Sequence, residues 1–352
     1  MLSKITVSPA PHISQDLSTR GVMGDVIIAL VPAIAAAVWF FRFQAVWVIA
    51  TCVLSCMASE WICNIIRKKP NSLGDLSAIL TGLILAFSLP PTIPLWAAAI
   101  GSAFAIVIAK MLFGGLGCNV FNPAMAARAF MAASLGALMT TWTVPATMGE
   151  VHCKGQEANA LAAIHAENTY DGSNGEIALT QATPLAWAKS AQKGKADVQL
   201  VNQMVKPTFY GGVGGCLGET SVLALLIGGV YLLIRKTISF HIPAAVLIAA
   251  AAFVGIFYLI SPDKYANPAF HLFSGGMLIC AFFIATDPVT APLSVKGMWI
   301  FGVGVGALVM LIRLIGELPE GVMYAVLIMN ALTPLIDRAC KLMPAGGKPN
   351  VS

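Results

Sequence analysis

"ILAFSLPPTIP" at residues 84–94 and "IATDPVTAP" at 284–292 are two apolar runs that each end in closely spaced prolines. Proline lacks a backbone N–H and interrupts a helix. Each run is followed by another apolar segment, one basic residue (Lys110 or Arg313) and a glycine-containing turn, "GGLG" or "GELPEG". The two halves of the sequence therefore resemble each other around a broken helix.

The composition places these runs in a membrane. The chain has 352 residues, of which 58% are hydrophobic and 11% are charged, with a net charge of +5, whereas a soluble domain carries about 25% charged residues. Residues 1–20 contain no apolar core of the length that a cleavable signal peptide needs. The sequence therefore predicts an integral membrane protein.

Ten apolar segments follow one another, and crossing the hydrocarbon core takes about 20 residues. Their bounds are near 22–41, 44–66, 76–90, 94–112, 124–141, 216–234, 242–260, 269–286, 298–316 and 320–337. Five spans per half is an odd number, so the second half must be inverted relative to the first. We predict an all-α polytopic membrane protein with about ten transmembrane helices, arranged as two inverted five-helix repeats with broken helices and one long extracytoplasmic loop.

Lysine and arginine in the short loops predict the orientation, because they accumulate on the cytoplasmic side. With the N-terminus inside, the inner side receives Lys4, Arg20, Arg67, Lys68, Lys69, Lys110, Arg235, Lys236, Lys296, Arg338, Lys341 and Lys348. The short outer loops receive Arg42, Lys264 and Arg313. The predicted parts are a cytoplasmic segment at 1–21, a first repeat at 22–141, an extracytoplasmic loop at 142–213, a second repeat at 214–337 and a cytoplasmic tail at 338–352.

Broken helices in inverted repeats usually hold a ligand near the repeat interface, although these prolines are also compatible with helices that end at the membrane surface. "FGGLGCNVFNPAMAARAF" at 113–130 contains Asn119, Asn122 and Pro123. Asn122 followed by Pro123 is typical of a helix start. The two asparagines, with glycines that let a ligand approach the backbone, also suit a planar heterocycle with imide-like edges. Both interpretations stay open on the residues alone.

Two acidic residues stand out against the apolar background. Asp287, in "TDPVT", either caps the broken helix or meets an ion, and Glu60, inside the second segment, either pairs with a neighbouring helix or lies on an ion pathway. The eight cysteines include no C-x-x-C pair, which predicts no metal site. The glycine-rich run 210–220 lacks the lysine of a phosphate-binding loop, and we interpret it as a flexible entry into the next helix.

The motifs "SPAPHI" (8–13), "GGLGCNVFNPA" (114–124), "TQATPL" (180–185) and "TDPVTAP" (286–292) together resemble one family over essentially the whole chain. It comprises the D subunits of the Rnf ferredoxin:NAD+ oxidoreductase complex of prokaryotic membranes and the B subunits of the sodium-translocating NADH:quinone reductase. The B subunits usually carry a longer N-terminal extension, which is absent here, so the D-type subunit is favoured. The resemblance implies the prokaryotic cytoplasmic (inner) membrane as the location.

The resemblance also implies a covalent cofactor. In this family a threonine in an outer loop carries FMN through a phosphoester bond, installed by a separate flavin transferase at a pattern close to D-x-x-[S/T]-G-A-[T/S]. Aligned with that pattern, Thr183 is the acceptor, whereas Gln181 replaces the glycine and Ile177 the acidic residue. Without the resemblance, the T-x-A-T sequence from Thr180 to Thr183 is typical of a helix N-cap or a Ser/Thr turn.

A second flavin and several partners follow from the same resemblance. The related reductase protein holds a non-covalent riboflavin against its asparagine–proline loop, which corresponds here to Asn119, Asn122 and Pro123. The expected partners are the A, B, C, E and G proteins of the Rnf complex, which include a second flavoprotein and iron–sulfur proteins, together with membrane lipid but no nucleic acid. The electron transfer of the complex is expected to drive Na+ or H+ transport. This chain is not expected to complete that reaction alone. The competing class is a secondary transporter that has an inverted repeat and no redox cofactor.

Overall fold

The computed structural model describes residues 18–141, 183–194, 196–211 and 213–341. Within these ranges all regular structure is helical. The helices are α1 (Thr19–Ile66), α2 (Ser77–Phe87), α3 (Leu95–Ile106), α4 (Pro123–Ser134), α5 (Gly136–Met139), α6 (Pro184–Gln192), α7 (Val198–Gln203), α8 (Val205–Tyr210), α9 (Val222–Ile234), α10 (His241–Ile260), α11 (Pro268–Phe273), α12 (Met277–Ile279), α13 (Val295–Leu314) and α14 (Val322–Ala339). In these ranges α1, α10, α13 and α14 are long and apolar enough to cross a membrane. This confirms the predicted class of an all-helical, apolar protein.

Helix α1 contains two of the predicted segments. Its 48 residues would extend about 72 Å as one straight helix, far more than the roughly 30 Å of a hydrocarbon core. The helix breaks at Arg42, where φ is 54° and ψ is −136°. Val22, near its start, lines the same pocket as Lys110, and Lys110 is bonded to Glu60, near its end. The two parts of α1 therefore run back beside each other.

Both proline-ended segments are short and irregular, as predicted. Helix α2 ends at Phe87, and α3 is continued by a π-helical turn at Val107–Met111. In the second half, α11 and α12 are separated by residues 274–276, where Gly275 has a φ of +66°, and α12 leads into a π turn at Cys280–Ile284. The second segment thus has an additional break, which the sequence pattern does not predict, upstream of its prolines.

Small residues allow the helices to approach closely. A Cβ atom added to Gly306 of α13 would lie 2.4 Å from the Val246 carbonyl oxygen of α10. One added to Gly228 of α9 would lie 2.1 Å from the Ala29 carbonyl oxygen of α1. The second contact joins the two halves of the chain into one apolar core.

Two sequence-based interpretations are wrong. The count of loop cations includes Lys110 and Arg313, but both are buried, with 1% of their surface exposed. The segment 213–220 is not a flexible entry, because the Leu217 amide donates to the Leu89 carbonyl at 3.1 Å, and a Cβ on Gly218 would lie 2.7 Å from Phe87 Cβ. Gly218 allows this segment to pack against the end of α2, because a larger side chain there would collide with Phe87.

Candidate functional site

One pocket lies between the two halves of the chain, and four of the predicted site residues line it. Asn119, Asn122 and Pro123 come from the first half, and Asp287 comes from the second. Much of the remaining lining is apolar, with the side chains of Val22, Met23, Val26, Leu80, Ile84, Leu116, Ile238, Phe283 and Val289. A mostly apolar pocket with a few converging polar groups is the usual form of a small-molecule site.

The two asparagines have different roles in this pocket. Asn122 is the N-cap of α4: its Oδ1 accepts from the amides of Ala124 at 3.1 Å and Met125 at 3.3 Å. Pro123 occupies the first turn of that helix, so the predicted helix start is confirmed. Asn119 donates from Nδ2 to the Phe121 carbonyl at 3.1 Å. Its buried Oδ1 has no hydrogen-bond partner in the described part of the chain, which leaves an acceptor available.

Asp287 shapes the turn that follows the second broken helix. Its Oδ1 accepts from the Val289 amide at 3.2 Å, and its Oδ2 accepts from the Thr290 hydroxyl at 3.1 Å. These bonds stabilise the turn itself, and neither goes to a backbone group of the broken helix. Both partners are neutral, so they leave the charge of an ionised Asp287 uncompensated beside the pocket.

Glu60 pairs with a neighbouring helix, which was one of its two predicted roles. Its Oε2 lies 2.7 Å from Lys110 Nζ, and its Oε1 accepts from the Ser72 hydroxyl. Lys110 also donates to Ser77 Oγ at 2.6 Å, and it lines the pocket. Sequence reasoning missed this contact because the two charged residues lie 50 positions apart in the chain.

Thr183 lies at a separate place and does not line the pocket. It is the N-cap of α6, where its Oγ1 accepts from the Ala186 amide at 3.2 Å, and it is 6% exposed. Thr180, Gln181 and Ile177 lie outside the described residues. The structure therefore shows the helix-cap role that the sequence pattern alone predicted for Thr183.

Helix α6 is held against the second broken helix. Leu185 packs in an apolar cluster with Ala266 and Phe270. A Cβ on Gly275 would lie 2.4 Å from Leu185 Cδ1, and Lys189 Nζ donates to the Arg313 carbonyl at 2.9 Å. Partial burial lowers the pKa of the Lys189 ammonium.

Comparison with known proteins gives a near full-length match. Residues 6–346 match the model of the NQR2, RnfD, RnfE family. The D subunit of the Na+-translocating ferredoxin:NAD+ oxidoreductase complex of Acetobacterium woodii is 40% identical over 338 residues, which cover 96% of this chain and 94% of that protein. The D subunit of the proton-translocating ferredoxin:NAD+ oxidoreductase complex of Clostridium ljungdahlii is 40% identical, with 95% and 93% covered. The D subunit of the ion-translocating oxidoreductase complex of Stutzerimonas stutzeri is 41% identical, with 95% of each chain covered.

Proposed function

Because this chain belongs to the NQR2, RnfD, RnfE family, we propose that it is the D-type membrane component of an ion-translocating ferredoxin:NAD+ oxidoreductase complex and carries electrons through FMN bound covalently to Thr183. The observation that carries the FMN assignment is the place of Thr183, immediately before the helix that Pro184 begins. In the assembled complex, the other Rnf proteins (A, B, C, E and G) supply the nucleotide and iron–sulfur sites.

The surroundings of Thr183 fit a phosphoester. The first turn of a helix presents unpaired amides and partial positive charge, which favour a phosphate group. The Thr183 oxygen already accepts one of these amides, that of Ala186, and an esterified oxygen keeps a lone pair for that bond. A bound flavin supplies the electron-transfer chemistry. The chain's own residues fix the attachment point, because α6 is anchored through Leu185 and Lys189.

Burial of Thr183 has a consequence for attachment. A threonine hydroxyl is a weak nucleophile and needs activation by another group, so the flavin transferase must reach it. With 6% of Thr183 exposed, the packed segment leaves little access. We therefore expect the flavin transferase to act before α6 packs against residues 266–270.

We propose that the pocket holds a second, non-covalent flavin such as riboflavin. In this proposal the unpartnered Oδ1 of Asn119, a residue of the pocket wall, accepts a hydrogen bond from a ring N–H of the ligand. Val26, Ile84 and Phe283 offer apolar surface that excludes water from its ring faces. Asn122 and Pro123 act indirectly by fixing the start of α4 beside the ligand.

The ion pathway is assigned by charge balance. Glu60 is neutralised by Lys110 at 2.7 Å, whereas the hydrogen-bond partners of Asp287 are neutral. We therefore assign the contact with a translocated cation to Asp287 and a supporting role to Glu60. The relatives carry names with different ions, Na+ for one and protons for another, so family membership does not select the ion.

Covalent flavin separates this proposal from a secondary transporter. The purified protein, produced with and without the flavin transferase, is analysed by intact mass and by fluorescence of the denatured band in an SDS gel. We expect the mass of one FMN group and a fluorescent band only with the transferase. An unchanged mass and a dark band in the natural host would exclude FMN as a covalent cofactor of this chain.

A further inference from the structure

A second polar cluster lies outside the pocket, around two carboxyl groups. Cys216 and Arg128 bring Glu219 and Glu320 together: the Cys216 amide donates to Glu219 Oε2 at 3.4 Å, its sulfur accepts from Arg128 at 3.3 Å, and Arg128 lies 4.0 Å from Glu320 Oε2. The two carboxyl groups are within reach of a direct hydrogen bond. An ionised carboxylate only accepts hydrogen bonds, and a protonated one can also donate. A direct bond between two carboxyl groups therefore requires one proton. Neither residue lines the pocket of Asn119, so this cluster is a separate feature.

Two arginines face the pair from different halves of the chain. Arg313 of α13 places a guanidinium nitrogen 3.2 Å from Glu320 Oε1, and Arg128 of α4 places one 4.0 Å from Glu320 Oε2. Two backbone amides complete the contacts, with Gly276 donating to Glu320 at 3.0 Å and Cys216 donating to Glu219 at 3.4 Å. Among the described residues, the thiols of Cys216 and Cys280 also interact electrostatically with Glu320.

The charge balance allows this cluster to exist with and without the proton. Two guanidinium groups neutralise two ionised carboxylates, and one added proton leaves a single net positive charge. The same guanidinium groups disfavour a metal cation, which would be placed a few ångströms from two positive charges. A proton bound between two oxygen atoms needs no further ligands. The chemistry therefore favours H+ over Na+ at this place.

Unpartnered polar groups extend from the pair into the protein. The Glu320 side chain is 16% exposed, so one end of the pair is open to exchange. On the inner side, Gly276 donates its amide to Glu320, and nearby Ser274 is buried with a hydroxyl that has no partner in the described ranges. Both ring nitrogens of buried His271 also lack a partner there, and Arg313 binds its carbonyl at 2.8 Å. Such groups are places for water or a transferred proton.

We propose that Glu219 and Glu320 form a proton-binding site of this chain, which holds one proton between the two carboxyl groups and exchanges it at the exposed edge of Glu320. Release of the proton leaves both carboxylates ionised and strengthens their attraction to Arg128 and Arg313. Because Arg128 belongs to the first half and Glu320 to the second, occupancy of the site changes the contact between the halves. This assignment is independent of the flavin at Thr183.

Infrared spectroscopy of the full chain in its detergent-solubilised complex tests the site through the C=O stretch of protonated carboxylic acids and its shift in D2O. Wild type near neutral pH should show this band. Glu219→Gln and Glu320→Gln should each remove one carboxylic acid per chain, because a glutamine amide donates to the remaining carboxylate and needs no proton. Glu317→Gln is the matched control, since Glu317 lies in the same loop with its side chain 84% exposed and pairs with Lys193.

The assignment is overturned if wild type and both variants give the same carboxylic-acid band, or if Glu317→Gln removes that band as well. Should a single variant fail to assemble, the Glu219→Gln/Glu320→Gln double variant retains a neutral amide pair and carries the same expectation. An unchanged carboxylic-acid band in the double variant would also overturn the assignment. Loss of the band confined to Glu219→Gln, Glu320→Gln and their combination supports the site.

Discussion

Lys110 Nζ lies 2.7 Å from Glu60 Oε2, and both side chains are almost completely buried. Because Lys110 also donates to Ser77 Oγ, this one cation ties together α1, the start of α2 and the π turn after α3. The same side chain forms part of the pocket wall. The ion pair therefore holds this part of the pocket wall in place and contributes little net charge of its own.

Removing one partner of this pair should destabilise the protein strongly. Lys110→Met leaves Glu60 ionised without a cation in an apolar interior, at a cost of about 3–5 kcal/mol. The Lys110→Met/Glu60→Met double variant removes both charges and should recover much of the loss, because a buried pair can be replaced by apolar side chains at little cost. Thermal denaturation of the detergent-solubilised protein measures both effects. Lys264→Met is the control, since Lys264 is exposed, and a double variant less stable than the single one would argue against this charge balance.

Adjacent residues predict local structure well, whereas the sequence does not reveal which distant residues contact each other. The Asn122–Pro123 helix start follows from two adjacent residues, and the structure shows it. The proline-ended segments are also visible as interruptions of apolar runs. A buried lysine looks like a loop lysine when its carboxylate lies 50 residues away, which is why the sequence misplaces Lys110. Arg313 pairs with Glu320, only seven residues away, but it also donates to the His271 carbonyl, 42 residues away, and the sequence does not indicate that contact. The break at residues 274–276 escapes sequence reasoning because it lies inside a run of suitable apolar length.

The close contact between α10 and α13 depends on Gly306, because glycine has no side chain. Gly306→Val should lower stability by about 1–3 kcal/mol, because overpacking forces the helices apart where a Cβ would lie 2.4 Å from the Val246 carbonyl oxygen. Gly255→Ala on α10 is the matched control, since its added methyl group meets nothing within 4 Å. Yield and melting temperature of the purified protein report both variants. Equal melting temperatures for Gly306→Val and wild type would contradict the close approach of the two helices.

Cysteine labelling tests on which side of the membrane the termini and the long loop lie. The distribution of loop cations still predicts cytoplasmic termini after Lys110 and Arg313 are removed from the count. Cys153, which lies outside the described residues, should react with a membrane-impermeant thiol reagent in intact cells. Exposed Cys118 and partly exposed Cys340 should react only in inverted vesicles. A Cys153→Ser variant identifies the first signal, and labelling of Cys118 but not Cys153 in intact cells would reverse the orientation.

Thr183→Val should abolish covalent flavin while the protein still reaches the membrane. The change keeps the size of the side chain and removes the hydroxyl that forms the ester. It also removes the N-cap of α6, which costs about 0.5–2 kcal/mol. Thr208→Val is the matched control, because Thr208 is a buried threonine in the same loop whose hydroxyl donates to the Met204 carbonyl. The fluorescent band should persist in Thr208→Val, and a flavin-bearing peptide that maps to Thr180 would place the attachment elsewhere.

Asn119→Leu tests the pocket, because Asn119 Oδ1 is the buried acceptor there that lacks a partner among the described residues. Loss of a hydrogen bond in a dry site costs about 1–3 kcal/mol, so the affinity for a non-covalent flavin should fall by about 5- to 150-fold. Asn267→Ser is the control, since Asn267 begins the equivalent Asn–Pro–Ala sequence at α11, does not line the pocket and is replaced by another good N-cap residue. Flavin released on denaturation of the purified complex is quantified for each variant. Wild type and Asn267→Ser should release non-covalent flavin in near-stoichiometric amount, whereas Asn119→Leu should release little and keep its covalent FMN. If wild type purified in mild detergent with its partner proteins releases none, the pocket holds no flavin, and Asn119 serves only the turn that precedes α4.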